Sequence, residues 1–264
     1  MKLRFADRWV VVTGASSGLG LEIARRLARD EGANLIVAAR RGERLAQLKQ
    51  EIEGGSTRRV EVVEVDLGRP DGADTLFRRA VAVGPVYAVV NNAGVTAYGR
   101  TRADQLPQYD AIVDLNLRSV MRLTLLFLDH FLERGEGGIQ NVTSLAALIP
   151  VPYQSVYSAS KHALQCFTDA LRLEHRGRGV VICSFVPGGI ATEMLTRSGL
   201  DQQFGESRFN MRPERAARLA VRAFRRGKAV AIPGFSNRVV ATLARLLPRG
   251  LVLRLAERVY RPAP

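Results

Sequence analysis

The fold is decided by the stretch Trp9-Val10-Val11-Val12-Thr13-Gly14-Ala15-Ser16-Ser17-Gly18-Leu19-Gly20. An apolar run of strand character leads into a loop with three glycines, and Leu19–Arg29 then carries apolar residues at helical spacing. A tight turn needs backbone angles that glycine adopts cheaply, and a phosphate approaches backbone N–H groups only where no Cβ intervenes. The stretch predicts a strand, a phosphate-binding loop and a helix, although a purely structural turn also uses glycine.

Short apolar runs alternate with longer amphipathic stretches along the rest of the chain. This alternation predicts βαβ units and a parallel sheet. The 264 residues, 47% of them hydrophobic, suit one α/β domain over 1–264, with a Rossmann-type doubly wound parallel sheet and flanking helices. The predicted strands are Trp9–Thr13, Asn34–Ala39, Arg59–Val65, Val86–Val90, Gly138–Thr143 and Val180–Val186. The predicted helices include Leu19–Arg29, Ala103–Glu133, Ser155–His175 and Pro213–Arg226.

The character of the sequence changes after the sixth predicted strand. Pro187-Gly188-Gly189 ends that strand, and the polar segment at about 190–212 is predicted to form a substrate lid. Residues from about 236 to 264 form an amphipathic, basic C-terminal extension, whose apolar runs are much shorter than the ~20 residues that span a bilayer. The extension suits docking on a neighbouring subunit or peripheral contact with an anionic membrane surface, and we favour the subunit.

Composition excludes several other classes of protein. The net charge of +14 comes from arginines spread along the chain rather than from a basic stripe with aromatics, so we expect no nucleic-acid partner. The two cysteines, Cys166 and Cys183, lie in apolar-periodic segments and predict buried thiols, with no disulfide framework and no metal site. The N-terminus has no signal-peptide pattern, so we expect a cytoplasmic location.

The end of the second strand indicates which dinucleotide the chain binds. NAD-binding proteins place an acidic residue there for the ribose 2′-hydroxyl, whereas a 2′-phosphate needs a cation. The strand ends in Ala38-Ala39-Arg40-Arg41, which favours NADP, with Arg40 as the phosphate contact. One or both arginines can instead be solvated surface charges. Asp66, after the third strand, is placed to meet the adenine ring.

A tyrosine and a lysine four residues apart form the predicted reacting centre. Tyr157 and Lys161 lie on one face of a predicted helix. A phenol with a reference pKa of ~10 exchanges protons poorly at neutral pH unless a nearby ammonium lowers that pKa, which Lys161 can do. We expect Tyr157 to exchange its proton with an oxygen atom of the substrate. Ser144, just past the fifth strand, is placed to hydrogen-bond that oxygen. Asn116, in the middle of the helix that starts near Ala103, is placed to hold a water that links Lys161 to solvent.

The ordered set of these motifs resembles the short-chain dehydrogenase/reductase family over about residues 7 to 192. The set comprises Thr13-Gly14-x-x-x-Gly18-x-Gly20, Asn91-Asn92-Ala93-Gly94, Asn116, Ser144, Tyr157-x-x-x-Lys161 and Pro187-Gly188. The resemblance implies that Tyr157 is the general acid-base, that Lys161 lowers its pKa and binds the nicotinamide ribose, that Ser144 orients the carbonyl and that Asn116 supports a proton relay. It also implies that Thr192 holds the carboxamide. Expected NADP(H) contacts are Gly14, Ser16, Ser17, Gly18, Leu19, Gly20, Arg40, Asp66, Leu67, Asn92, Ala93, Gly94, Tyr157, Lys161, Pro187, Gly188, Ile190 and Thr192.

The expected substrate is a small apolar carbonyl compound or secondary alcohol. The loop from Leu145 to Tyr153 is almost wholly apolar, and the lid offers Met194, Leu195, Leu200 and Phe204. The resemblance implies a homodimer or homotetramer built on the face of Ala163, Leu164, Phe167 and Leu171, which can instead pack against its own sheet. The competing function is a catalytically idle NADPH-binding or membrane-surface module that uses the basic C-terminal extension. The alternative is disfavoured because an idle site has no reason to keep all four expected catalytic residues, which are Asn116, Ser144, Tyr157 and Lys161.

Overall fold

A computed structural model describes residues 2–200 and 210–262. Their centre is a seven-stranded, wholly parallel sheet with the order β3-β2-β1-β4-β5-β6-β7. The strands are β1 (Trp9–Thr13), β2 (Asn34–Ala39), β3 (Val60–Glu64), β4 (Val86–Asn91), β5 (Gly137–Val142), β6 (Val180–Phe185) and β7 (Val230–Ala231). The predicted doubly wound sheet is confirmed, and the two-residue β7 adds a strand too short for sequence periodicity to indicate.

Helices cover both faces of the sheet. They are α1 (Gly18–Glu31), α2 (Gly42–Gly54), α3 (Gly72–Val83), α4 (Leu106–Val113), α5 (Ser119–Arg134), α6 (Ser155–Glu174), α7 (Glu193–Ser198), α8 (Pro213–Arg225), α9 (Phe235–Leu246) and α10 (Arg249–Tyr260). Two buried apolar clusters lie between these helices and the sheet, one on each face. The strands β1, β2 and β4 are buried along almost their entire length, because apolar side chains of both faces enter these clusters.

The prediction of one continuous helix over Ala103–Glu133 is wrong. A short 3₁₀ turn at Ala103–Gln105 precedes α4, and a five-residue π-helical turn at Asp114–Arg118 separates α4 from α5. A π turn adds one residue to the helical repeat, so it shifts the face on which later side chains lie. Asn116 therefore lies in this turn and not in a regular helix.

The prediction that both thiols are buried is wrong for Cys166. Cys183 is buried in β6, but Cys166 is exposed on α6, on the same side of the helix as the exposed Ala163. Leu164 and Leu171 are buried within the chain, so half of the face proposed for subunit contact packs on its own fold. The homodimer or homotetramer stays a prediction.

The segment predicted as a lid and the C-terminal extension complete the described chain. Ile190 and Met211 pair through an isolated parallel bridge, and α7 lies between them in sequence. The predicted lid residue Phe204 lies outside the described residues, as do the last two residues of the extension. The helices α9 and α10 form the rest of the extension and are called the C-terminal hairpin below. Among the described residues, no helix combines the length and the apolar character that crossing a bilayer requires.

Candidate active site

The carboxyl ends of the strands open into a cleft of about 770 Å³. The chain crosses from β3 at one edge back to β4 beside β1, so the loops after β1 and β4 diverge at this point of the sheet. Ligands of open α/β sheets bind at such a topological switch point. Ser16 and Asn92, from these two loops, both line the cleft, and Tyr157 lines its far wall.

The glycines after β1 are required by close packing within the protein. Gly14 has a φ of 68°, and a Cβ there would lie 2.9 Å from Ala93 Cα. A Cβ at Gly20 would lie 2.4 Å from both Gly14 O and Asn92 Nδ2. Gly18 has a φ of 56°, and its missing side chain leaves room for Thr192. The loop is therefore pressed against both the β4 loop and the lid, which gives the glycines a second reason beside phosphate approach.

Hydrogen bonds fasten the loops after β1 and β4 to each other. The Thr13 hydroxyl accepts from the backbone N–H groups of Asn92 and Ala93 at 2.9 and 3.0 Å. The Asn92 side-chain amide donates to the Thr13 carbonyl at 3.0 Å. Asn92 lines the cleft as predicted, but its amide is engaged in this structural bond.

The first turn of α1 fits a phosphate group. Its N-cap residue, Ser17, makes no side-chain capping bond, and no acidic residue lies in the first turn. Backbone N–H groups at a helix start have no intrahelical partner and carry the positive end of the helix dipole. Ser16, Ser17 and Arg41 stand at the same end of the cleft. An anionic phosphate would find N–H donors and a guanidinium there.

Tyr157 and Ser144 form the hydroxyl pair of the cleft. Burial raises the pKa of Tyr157, the Ser144 hydroxyl offsets part of that rise by hydrogen bonding, and nearby Tyr260 adds to it. Ser144 is fixed because it caps a 3₁₀ turn, where its Oγ accepts from Ala146 N at 3.1 Å. A phenol with a raised pKa stays protonated at neutral pH, so this pair presents hydroxyl donors to the cleft.

Lys161 lies behind the Tyr157 ring. Its Nζ donates to the Val142 carbonyl at 3.0 Å and is 5.9 Å from the ring centroid of Tyr157. Burial lowers the pKa of Lys161 to about 8. Burial is the largest influence on the Tyr157 phenol and raises its pKa, and the lowering of that pKa by the Lys161 ammonium stays a prediction.

Asn116 is fully buried beneath the loop after β4. Its Nδ2 donates to the Val95 carbonyl at 2.8 Å, and its Oδ1 accepts from Val95 N at 2.9 Å. A Cβ at Gly94 would lie 3.1 Å from Asn116 Oδ1 and 3.7 Å from Lys161 Nζ, so glycine lets both side chains approach the loop. The amide of Asn116 thus holds the loop in place, and its part in a proton relay stays a prediction.

An ion-pair cluster joins the lid to the phosphate end of the cleft. Arg41 donates to Ser16 Oγ at 3.0 Å, to Ser17 Oγ at 2.7 Å and to Glu193 Oε2 at 2.8 Å. Arg44 binds the other oxygen of Glu193, and the guanidiniums of Arg44 and Arg41 lower the pKa of Glu193 to about 2. Arg40, the residue favoured from the sequence, is exposed at the wall of the same cleft.

The structure brings nearly all predicted site residues to one cleft. Two do not line it: Gly20 packs behind the phosphate loop, and Asn116 lies beneath Gly94. Those that line it are Gly14, Ser16, Ser17, Gly18, Leu19, Arg40, Asp66, Leu67, Asn92, Ala93, Gly94, Ser144, Tyr157, Lys161, Pro187, Gly188, Ile190 and Thr192.

The contribution of the C-terminal hairpin to the cleft was not predicted from the sequence. Tyr260 lines the cleft, and its backbone carbonyl accepts from the Tyr98 hydroxyl at 2.8 Å. Asn237 lies against Gly188, where a Cβ would be 2.6 Å from its Oδ1. The apolar periodicity of the hairpin was the available signal, but periodicity alone does not say which surface a helix covers.

The fold and the cleft together define a Rossmann-type α/β protein with a tyrosine-lysine pair at the carboxyl edge of its sheet. A family model described as short chain dehydrogenase matches residues 8–203. The chain therefore belongs to the short-chain dehydrogenase family of oxidoreductases, as the motif set had indicated.

Curated relatives and a solved structure agree with this membership. The chain is 36% identical over 188 residues to the ketoacyl reductase HetN of a Nostoc species, and 33% identical over 194 residues to mouse 17-beta-hydroxysteroid dehydrogenase type 3. These matches cover 71% and 73% of this chain but only 65% and 63% of the relatives. A short-chain dehydrogenase from Sphingobium yanoikuyae in complex with NADPH superposes with a TM-score of 0.80 at 28% identity, covering 92% of this chain and 94% of that one.

Proposed function

We propose that this chain uses NADPH to reduce a carbonyl group on an apolar small molecule to a secondary alcohol. The observation that carries the proposal is the pairing of the Tyr157 and Ser144 hydroxyls on the wall of the cleft. Two hydroxyl donors that converge on one point are what a carbonyl oxygen needs when negative charge develops on it. When bound, NADPH supplies the hydride.

The residues of the chain take complementary parts in this reaction. Tyr157, which is protonated at neutral pH, donates its proton to the substrate oxygen. A protonated Lys161 would stabilise the phenolate that this transfer leaves. Ser144 donates a hydrogen bond to the same oxygen and orients the carbonyl. Lys161, whose Nζ is 5.9 Å from the Tyr157 ring centroid, binds the nicotinamide ribose. Asn116 supports the proton relay by holding the loop at Gly94.

The choice of NADPH over NADH rests on the positive charge at the end of the cleft that we assign to the 2′-phosphate. Arg40 and Arg41 follow β2, and both line the cleft where a 2′-phosphate would lie. Asp66 and Leu67, after β3, line the same cleft, and we assign them to the adenine ring. The complexed relative from Sphingobium yanoikuyae contains NADPH, which supports the same choice.

The choice of an apolar substrate rests on the walls of the cleft. Apolar side chains come from the loop after Ser144, from the lid and from the C-terminal hairpin: Leu145, Ile149, Val151, Met194, Leu195, Leu200, Val240, Leu243, Leu247, Val252, Leu255 and Val259. The names of the two relatives, a ketoacyl reductase and a hydroxysteroid dehydrogenase, are compatible with a carbonyl or hydroxyl group on an apolar skeleton.

The test is NADPH oxidation with a panel of aliphatic, aromatic and steroid-like ketones, in the wild type and in Tyr157→Phe. Phenylalanine keeps the ring and removes the acidic hydroxyl, so we expect turnover to fall by about 100-fold or more, while calorimetric NADPH binding stays intact. The same assay with NADH, which has no 2′-phosphate, tests whether Arg40 and Arg41 select the cofactor. Tight NADPH binding without turnover across the panel would favour the idle module, and unchanged turnover in the variant would refute the role of Tyr157.

A further inference from the structure

Most of the large apolar side chains that are exposed among the described residues belong to the C-terminal hairpin. Its two helices contain one fully buried residue, Ala241 of α9, and α10 has none. Phe235 and Leu246 are 76% and 75% exposed. Contiguous apolar surface of this kind is unusual on a soluble monomer and marks a contact site.

The exposed surface is continuous with the wall of the cleft. Val240, Leu243, Leu255 and Val259 line the cleft and are also exposed, so they form its mouth. Outside this mouth the apolar surface continues through residues that do not line the cleft, namely Phe235, Val239, Leu246 and Leu251. An occupant of this surface would therefore adjoin the entrance to the cleft.

The charge of the hairpin identifies the chemistry of the occupant. Between Phe235 and Arg261 there is a single acidic residue, Glu257, and its carboxylate accepts from Arg261 and from the Tyr153 hydroxyl. The same stretch contains six arginines, at Arg238, Arg245, Arg249, Arg254, Arg258 and Arg261. A twofold contact between two copies would bring these arginines together, because such an interface pairs a surface with itself.

We propose that the C-terminal hairpin docks the mouth of the cleft on an anionic membrane surface. The apolar side chains enter the boundary between headgroups and acyl chains, and the arginines at the edges of the helices bind anionic headgroups. This differs from our sequence-based preference for a neighbouring subunit. The reason is that the apolar surface adjoins the cleft mouth, and that its two helices and Arg261 carry six arginines with a single carboxylate.

The experiment is flotation of the full chain with vesicles of phosphatidylcholine alone and with vesicles in which about a third of the lipid is phosphatidylglycerol. We expect binding to the anionic vesicles that weakens as salt is raised. The double variant Arg245→Glu with Arg249→Glu should lower the partition coefficient by about tenfold or more. Its control, Arg176→Glu with Arg178→Glu, makes the same charge change at exposed positions outside the hairpin and should lower it much less.

A second pair of variants tests whether the apolar side chains of the hairpin contribute to membrane binding. Phe235→Ser with Leu246→Ser should also weaken binding by about tenfold, whereas Leu106→Ser with Leu173→Ser, which removes exposed apolar side chains elsewhere, should leave it unchanged. Equal binding to both vesicle types, or equal effects of hairpin and control variants, would overturn the proposal. So would sedimentation showing self-association that the hairpin variants abolish, without vesicle binding by the wild type. Vesicle binding requires no turnover, so this result is independent of the proposed reaction.

Discussion

The phosphate loop and the C-terminal hairpin line the same cleft but are held in opposite ways. The loop packs so closely that a single added carbon at Gly14 or Gly20 would lie within 3 Å of neighbouring atoms. The hairpin, in contrast, buries only Ala241, and a Cβ at Gly250 would meet nothing within 4 Å. The phosphate-loop side of the cleft is thus fixed by backbone packing, whereas the hairpin side is a loosely packed wall.

This difference separates what each region can tolerate. Closely packed backbone transmits any added volume as strain, because interiors have the density of crystals. A half-exposed helix accepts new side chains at little cost. Substitutions at the loop should therefore change stability and cofactor binding together, while substitutions on the hairpin should change surface properties and substrate access alone.

The largest effect is expected for Gly20→Ala. The new Cβ would lie 2.4 Å from the Gly14 carbonyl oxygen and 2.4 Å from Asn92 Nδ2, so the backbone of two loops must shift. We expect a loss of about 3 kcal/mol in the free energy of unfolding and a marked loss of NADPH affinity. Urea unfolding and calorimetric titration measure the two. A stability change indistinguishable from that of an exposed helical glycine would contradict the contrast between the regions.

The next effect concerns Lys161, a buried residue that lines the cleft. Burial lowers the pKa of Lys161 from 10.5 to about 8. Between pH 8 and 10.5 the unfolded chain therefore binds more protons at this group than the folded chain, and the free energy of unfolding rises with pH. Relative to Lys161→Met, the wild type should gain about 2 kcal/mol between pH 7 and pH 10.

Urea unfolding of both proteins at the two pH values measures this gain. Other alkaline groups are common to both proteins, so they cancel in the difference. A constant difference would mean that Lys161 is solvated in the folded state. A wild type that loses stability relative to the variant would mean a raised pKa instead.

A smaller effect is expected for Glu193→Gln, which acts where the lid meets the cofactor side. The Glu193 carboxylate binds Arg41 and Arg44, and in the proposed NADPH complex it would compete with the 2′-phosphate for these guanidiniums. Exposed ion pairs are worth up to about 1 kcal/mol, so we expect NADPH to bind about fivefold more tightly and NADH to bind as before. Glu214→Gln, at an exposed position on α8, is the matched control. A parallel change for NADH would show that Glu193 acts on lid closure and not on the phosphate.

The same contrast explains how much the sequence could predict. The bounds of β1 and β2 were predicted to the residue, because buried parallel strands are apolar throughout and end at glycine or charge. Almost every site residue that the ordered motifs predicted lines the cleft. The π turn at Asn116 could not be predicted, because it depends on the pairing of a buried amide with Val95 of another loop.

The pairing of Glu193 with Arg41 could not be predicted either, since it joins residues 152 positions apart. The sequence did contain one indication of this pairing, because the two residues carry opposite charges and lie in two segments that flank the predicted cleft. The hairpin was predicted as an amphipathic extension, but its position beside the cleft depends on contacts such as that of Asn237 with Gly188, which no local pattern contains.

The smallest effect is expected for Gly250→Ala, and it probes the loosely packed wall directly. Gly250 lies in the first turn of α10 with open space around it, so alanine brings helix propensity without a clash. The gain of about 0.5 kcal/mol should slow amide hydrogen exchange in α10 about twofold, with NADPH binding unchanged. If alanine instead weakens NADPH binding or destabilises the whole chain, the hairpin is packed as tightly as the phosphate loop. An exposed helix that binds a surface would then be the wrong description of it.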